Sequence, residues 1–154
     1  EAAASFRSIM GSLPDEVTDA AGRGDEAALL AWLDSDGQVN ATDGASGVTA
    51  LMLSARHGQE QVVELLLRHG AEINLQDSSG FTALMIAAQQ GHERVVELLL
   101  QRGAETNQQD SDGDTALLYA AGNGHERVVE LLIRHGAEVN LQSSDGSTAL
   151  MLAA

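Results

Sequence analysis

The sequence predicts an all-α repeat solenoid, in which paired antiparallel helices stack side by side and β-turn fingers join one pair to the next. Three observations carry that prediction. A Gly-x-Thr-Ala-Leu anchor recurs at Gly47, Gly80, Gly113 and Gly146, each copy 33 residues after the last. Between anchors, two short apolar runs of helical spacing are divided by a glycine, as Gly91 divides Leu84–Ala88 from Val95–Leu100. Turn chemistry, Asp77-Ser78-Ser79-Gly80 in the central copy, stands at the start of the unit. Self-similarity at one fixed period of this size is the signature of stacked repeats, each a unit too small to bury its own apolar faces.

In chain order, residues 1–13 do not match the repeat and read as an N-terminal extension: either a short helix with a weak apolar face of Phe6, Ile9 and Met10, or a segment added by cloning. The repeat domain is expected over 14–154. Pro14 suits the first turn of a helix, where no backbone N–H is required, and Asp15 and Glu16 complement the positive end of its dipole, so a helix is placed from there to about Arg23. Gly24 to Asn40 keeps the spacing of Gly58 to Asn74, which makes residues 14–46 a diverged first copy, read as a cap because a terminal unit must tolerate water on one face. Trp32, where later copies have Leu66, Leu99 and Leu132, is assigned to core or cap packing.

Full copies follow at about 47–79, 80–112 and 113–145, with a partial one at 146–154. In the second, Asp at the start and Gly at the fourth place favour a type I turn. Thr82 then N-caps a short helix running to about Gln90, Gly91 breaks it, and a second helix runs from His92 to Arg102 with a broad apolar face. Gly103 ends that helix in the left-handed region and an extended segment, Ala104 to Gln109, leads to the next turn. Glu64 with Arg68, and Glu130 with Arg134, stand four apart in the favourable order on the outer face. The final copy has a first helix and no second before Ala154. Its apolar face is expected either to continue in a longer natural chain, to pack on another chain, including a second copy of this one, or to fray.

Bulk properties narrow the function. Eight basic residues, all Arg, against 23 acidic ones leave a formal charge of −15. Such a field repels phosphate backbones and anionic lipid, so neither nucleic acid nor a membrane is an expected partner, whereas an Arg/Lys-rich protein surface is attracted. With no cysteine, disulfides, thiolate metal sites and cysteine nucleophiles are all removed. No stretch resembles a signal peptide, and apolar runs fall far short of the roughly 20 residues that span a bilayer. An intracellular, cytoplasmic or nuclear setting is the expectation.

The residues also match a known family. Asp77, Gly80, Thr82, Leu84, Ala87, Ala88, Gly91, His92, Val95, Val96, Leu98, Leu99, Gly103, Ala104 and Asn107 stand where ankyrin repeats usually have those types, and the chain resembles that family from about Pro14 to Ala154. It departs in one respect: the family's Thr-Pro-Leu-His becomes Thr-Ala-Leu-Met at Thr82–Met85. Losing Pro removes a pre-shaped first helical residue, and losing His removes a polar link between repeats, with apolar area in exchange. Repetition of the change in every copy points to recent internal duplication or to an idealised sequence.

No constellation signals catalysis or a cofactor. His57, His69, His92, His125 and His135 recur with the repeat and are assigned structural roles; equivalent residues of neighbouring repeats are expected about 10 Å apart, too far to share one zinc. Asp110 to Asp114 superficially resembles a calcium loop, but its Gly comes one place early and no Glu follows, so the repeat turn is the better account. Pairs such as Glu93 and Glu97 come with no nucleophile or oxyanion donors. The chain is therefore read as a noncatalytic protein-binding module.

By the resemblance, contact residues lie where packing does not dictate identity, on the turn tips and first helices. These are Ser78, Ser79, Phe81, Gln89 and Gln90; then Ser111, Asp112, Asp114, Gly122 and Asn123; then Val48, Arg56 and His57; and finally Ser144, Asp145 and Ser147. Phe81, whose equivalents are Val48, Asp114 and Ser147, is expected to be exposed near the tip and to anchor a partner. Tyr119 is assigned mainly to packing, with its hydroxyl directed to the groove. Two further readings stand beside binding: a structural, consensus-like scaffold segment with no native partner, and a substrate of an asparagine hydroxylase. The last rests on the resemblance, because ankyrin repeats are targets of that modification, and would act at Asn74, Asn107 or Asn140.

Overall fold

The computed structural model describes residues 11–153. The helix expected around Phe6, Ile9 and Met10 lies outside them. Described residues form helices α1 (Asp15–Arg23), α2 (Glu26–Asp34), α3 (Ala50–Arg56), α4 (Glu60–Arg68), α5 (Ala83–Gln90), α6 (Glu93–Gln101), α7 (Ala116–Gly122), α8 (Glu126–Arg134) and α9 (Ala149–Ala153). First helices α1, α3, α5, α7 and α9 stack on one another, second helices α2, α4, α6 and α8 do the same, and each second helix covers its own first helix. The result is the two-layer solenoid anticipated from the period.

Local chemistry accounts for each boundary. The side chains of Thr49, Thr82 and Thr115 accept hydrogen bonds from the backbone N–H of Met52, Met85 and Leu118 at 3.3, 3.2 and 3.3 Å, capping the first helices. Gly91 (φ 78°) closes α5, and its N–H reaches the Ala88 carbonyl at 3.3 Å. The second helices lie one residue inside the expected limits, with His92 and Arg102 as the flanking caps of α6.

The core runs through all the units. Leu29, Leu66, Leu99 and Leu132 from the second helices and Leu84 and Leu117 from the first are fully buried. Met52, Met85 and Leu118, standing at the family's histidine position, are 2, 1 and 3% exposed, so the substitution supplies apolar area between layers. Trp32 is half-buried against the core beside the turn at Gly37.

Polar links between neighbouring repeats include three ladders that each recur three times. Gln59 Nε2 donates to the Gly22 carbonyl at 2.8 Å, and the equivalent His92 and His125 Nε2 atoms meet the carbonyls of Arg56 and Gln89 at 2.8 and 2.9 Å. Asn40, Asn74 and Asn107 accept from the N–H of Glu72, Glu105 and Glu138 at 2.8, 2.9 and 2.8 Å. Along the fingers, Ser78 N–H donates to Ser46 O at 2.8 Å, Ser111 N–H to Ser79 O at 3.1 Å and Ser144 N–H to Asp112 O at 2.8 Å. Each ladder satisfies a backbone group that would otherwise lack a partner between stacked units.

One expected ion pair is rearranged. Arg68 meets Glu64 at 3.5 Å four residues away, as the spacing predicts, but Glu130 pairs with Arg127 at 3.0 Å and not with Arg134. Both geometries place the groups on one helix face, and an exposed pair of either kind contributes only about 0.3–0.5 kcal/mol, so little decides between them. The outer face also joins repeats, with Arg102 within 3.2 Å of Glu64.

Candidate functional site: the finger and first-helix face

Second helices cover the first helices on one side only, which leaves the fingers and the ends of the first helices as the open face. Its shape is set by the turns. In the central finger, Gly80 N–H closes the turn onto Asp77 O at 3.0 Å, while Asp77 Oδ1 accepts from the N–H of Ser79 and Phe81 at 2.9 and 3.0 Å. In the next finger, Asp110 Oδ1 does the same for Asp112 and Asp114 at 3.0 and 2.9 Å. A short Asp side chain in this place folds the turn by taking the backbone donors its neighbours would otherwise leave open.

Most of the anticipated contact residues lie on this face and are open to solvent. Ser78, Ser79, Gln90, Ser111, Asp112, Asn123, Arg56 and His57 are exposed, and Gln89 and Asp114 are half-buried. Several also serve the framework: the carbonyls of Gln89 and Arg56 accept from the histidines of the following repeat, and Asn123 Nδ2 donates to Tyr119 O at 2.8 Å.

Phe81 departs from expectation, and Tyr119 packs against the core as expected. Phe81 does not stand free at the finger tip; it is half-buried, packed on the core edge, with its ring centroid 5.2 Å from that of Tyr119 and the planes inclined by 32°. The phenol hydroxyl of Tyr119 donates to Asp110 Oδ2, at the base of the finger. Burial, followed by the Asp110 carboxylate, pushes the Tyr119 hydroxyl far above its ordinary value, so it stays a donor at any physiological pH. The Phe81 departure arises because residues 81 and 119 lie in adjacent repeats: Phe81 looks unconstrained within its own unit, and stacking sets its ring on that of Tyr119.

Asp110, Asp112 and Asp114 also converge, with one carboxylate oxygen from each within 4.8 Å of the others. Reading the turn as a one-dimensional motif missed this approach. Asp110 is 8% exposed, and its carboxylate is engaged by two backbone N–H groups and the Tyr119 hydroxyl, so it works as turn framework. The Asp114 carboxyl is pushed above the ordinary carboxylate range by burial and then by Asp110, Asp112 and Asp145. Asp145, by contrast, is held down to about 2 by hydrogen bonds from the Ser143 hydroxyl and from Ser147. Ion pairs among the described residues lie at the end of α1 and along the second helices, and none lies at the finger tips.

Asn74 and Asn107 use their side-chain oxygens between repeats, as described above, whereas Asn140 is exposed. The anticipated apolar face at the last unit is present: Leu150, Met151 and Leu152 are 78, 62 and 42% exposed. Among the described residues no helix is long and apolar enough to cross a membrane.

A family model described as "Ankyrin repeats (3 copies)" matches residues 18–110 and 102–154. The match spans the helix pairs, fingers and ladders described above. Repeats of this kind are generally protein–protein interaction modules and generally noncatalytic. The chain belongs to the ankyrin repeat family.

Proposed function

We propose that this chain is a noncatalytic binding module that holds a basic segment of a protein partner against its fingers, with Phe81 as the apolar anchor and Asp112 and Asp114 as the charged flank. One observation carries the reading. A partly open aromatic pair, Phe81 on Tyr119, sits beside carboxylates that the turn does not need, and no Arg among the described residues forms an ion pair there. Asp110 folds the turn; Asp114 beside it is crowded by the charges of Asp110, Asp112 and Asp145. A cation supplied by a partner relieves that repulsion, and its apolar stem covers the ring face. Aromatic anchors beside charged flanks are the residues whose truncation most weakens protein interfaces, by about 2 kcal/mol or more.

The test is affinity capture from the source cells, followed by titration of the recovered partner against Phe81→Ala, Asp114→Arg and an outer-face control, Glu126→Ala. The two finger variants are expected to weaken binding at least tenfold, with the control unchanged. Unchanged affinity in both finger variants would remove this patch from the interface.

A further inference from the structure

Over the three full repeats the open face is not uniformly acidic, and its charge has a direction; the exposed Asp15, Glu16 and Asp19 of α1 belong to the diverged first copy and lie outside that span. Setting aside the carboxylates that take backbone N–H groups of their own fingers, Asp43, Asp77, Asp110 and Asp145, the additional finger charges are Asp112 and Asp114, both in the finger toward the C-terminal repeats. The exposed ends of the first helices change in the opposite sense. At their C-terminal ends α3 presents Arg56 and His57, α5 the half-buried Gln89 and the exposed Gln90, and α7 Gly122 and Asn123. Arg56 is exposed, and its side chain joins none of the ion pairs among the described residues. Phe81 lies between the two ends, in the intervening repeat.

Building on the binding reading above, we propose that the face selects a partner segment by direction: its basic residue lies against Asp112 and Asp114, an apolar residue covers Phe81, and an acidic residue reaches back to Arg56. Spacing follows from the architecture. Arg56 and Asp114 belong to repeats two steps apart, about 20 Å at the roughly 10 Å spacing of packed helices, and the length of a first helix adds about 10 Å across the face. An extended chain covers ~3.3 Å per residue, so the two charges on the partner are separated by about six or seven residues. Each end discriminates by repulsion as well as attraction: a segment laid in the wrong direction sets its carboxylate against Asp112, Asp114 and Asp145 and its cation against Arg56.

The experiment is panning of a phage-displayed library of random linear 12-residue peptides against the whole chain, in parallel with Arg56→Glu and Asp114→Arg. The expected result is enrichment of peptides that carry Arg or Lys and Asp or Glu on opposite sides of an apolar residue, in one chain polarity. Arg56→Glu should abolish selection for the acidic residue while basic residues are still enriched, and Asp114→Arg should do the converse. Basic peptides that show no ordered acidic residue and are indifferent to Arg56→Glu would overturn the directional inference and leave the binding reading standing. Enrichment unaffected by either variant, or none at all, would overturn both.

Discussion

Replacing Gly80 by alanine, with Gly103→Ala as its partner experiment, isolates what finger stacking contributes. Both glycines lie in the left-handed region, at φ 84° and 89°. Adding a Cβ there costs about 1–2 kcal/mol at either position. The surroundings then separate them. A Cβ on Gly103 meets nothing within 4 Å, whereas one on Gly80 falls 2.8 Å from Asp110 Cα and 2.9 Å from Ser111 N, both backbone atoms of the next finger. Backbone cannot swing aside as a side chain does, so the fingers must part. Parting them stretches the bonds from Ser111 N and Oγ to Ser79 O, at 3.1 and 2.5 Å. At about 0.5–1.5 kcal/mol for each bond, Gly80→Ala should destabilise by roughly 2–5 kcal/mol and Gly103→Ala by only about 1–2. Urea unfolding followed by far-UV circular dichroism reads the difference, and the slope should be checked because repeats can unfold in parts. Equal midpoint shifts would refute the idea that finger contact, and not turn conformation alone, is what the glycine serves. The same displacement moves Phe81 and Asp114 apart, so Gly80→Ala should weaken partner binding while Gly103→Ala leaves it intact.

Two further outcomes follow from single side chains. Gln108 stands where neighbouring repeats have Leu75 and Leu141, and its Oε1 is buried with no hydrogen-bond partner among the described residues. Gln108→Leu should raise stability by about 1 kcal/mol in urea titration, since an unsatisfied buried carbonyl costs about 1–3 and the lost Nε2 contact to Asn74 O is long, at 3.4 Å. Asp114 has a folded-state value above its unfolded one, so the folded chain holds its proton more tightly and stability falls as pH rises between the two. Asp114→Asn should therefore raise the urea midpoint at about pH 7 and leave it unchanged at about pH 3, where both states are protonated. A midpoint gain at the acidic end would show that the benefit was not electrostatic.

The amino-acid pattern alone determined the architecture, because each repeat writes its own boundaries locally. Threonine caps such as Thr82, turn residues such as Asp77 and Gly80, and the breaker Gly91 act within a few residues of themselves, and one period aligns them all. The same comparison of copies separated framework from variable positions, which is why the open face was legible as a set of residues. Contacts between copies were decided only by stacking. The seat of Phe81 on Tyr119 and the crowding of Asp114 by Asp145 join residues of neighbouring units, and the Tyr119 hydroxyl ties its ring to Asp110 at the base of its own finger. The Glu130–Arg127 pairing was settled by side-chain geometry on one helix, where the energies of the alternatives nearly coincide. A period reveals what every unit must share. What a single unit's departures do depends on the unit beside it, and that neighbour is supplied by tertiary packing.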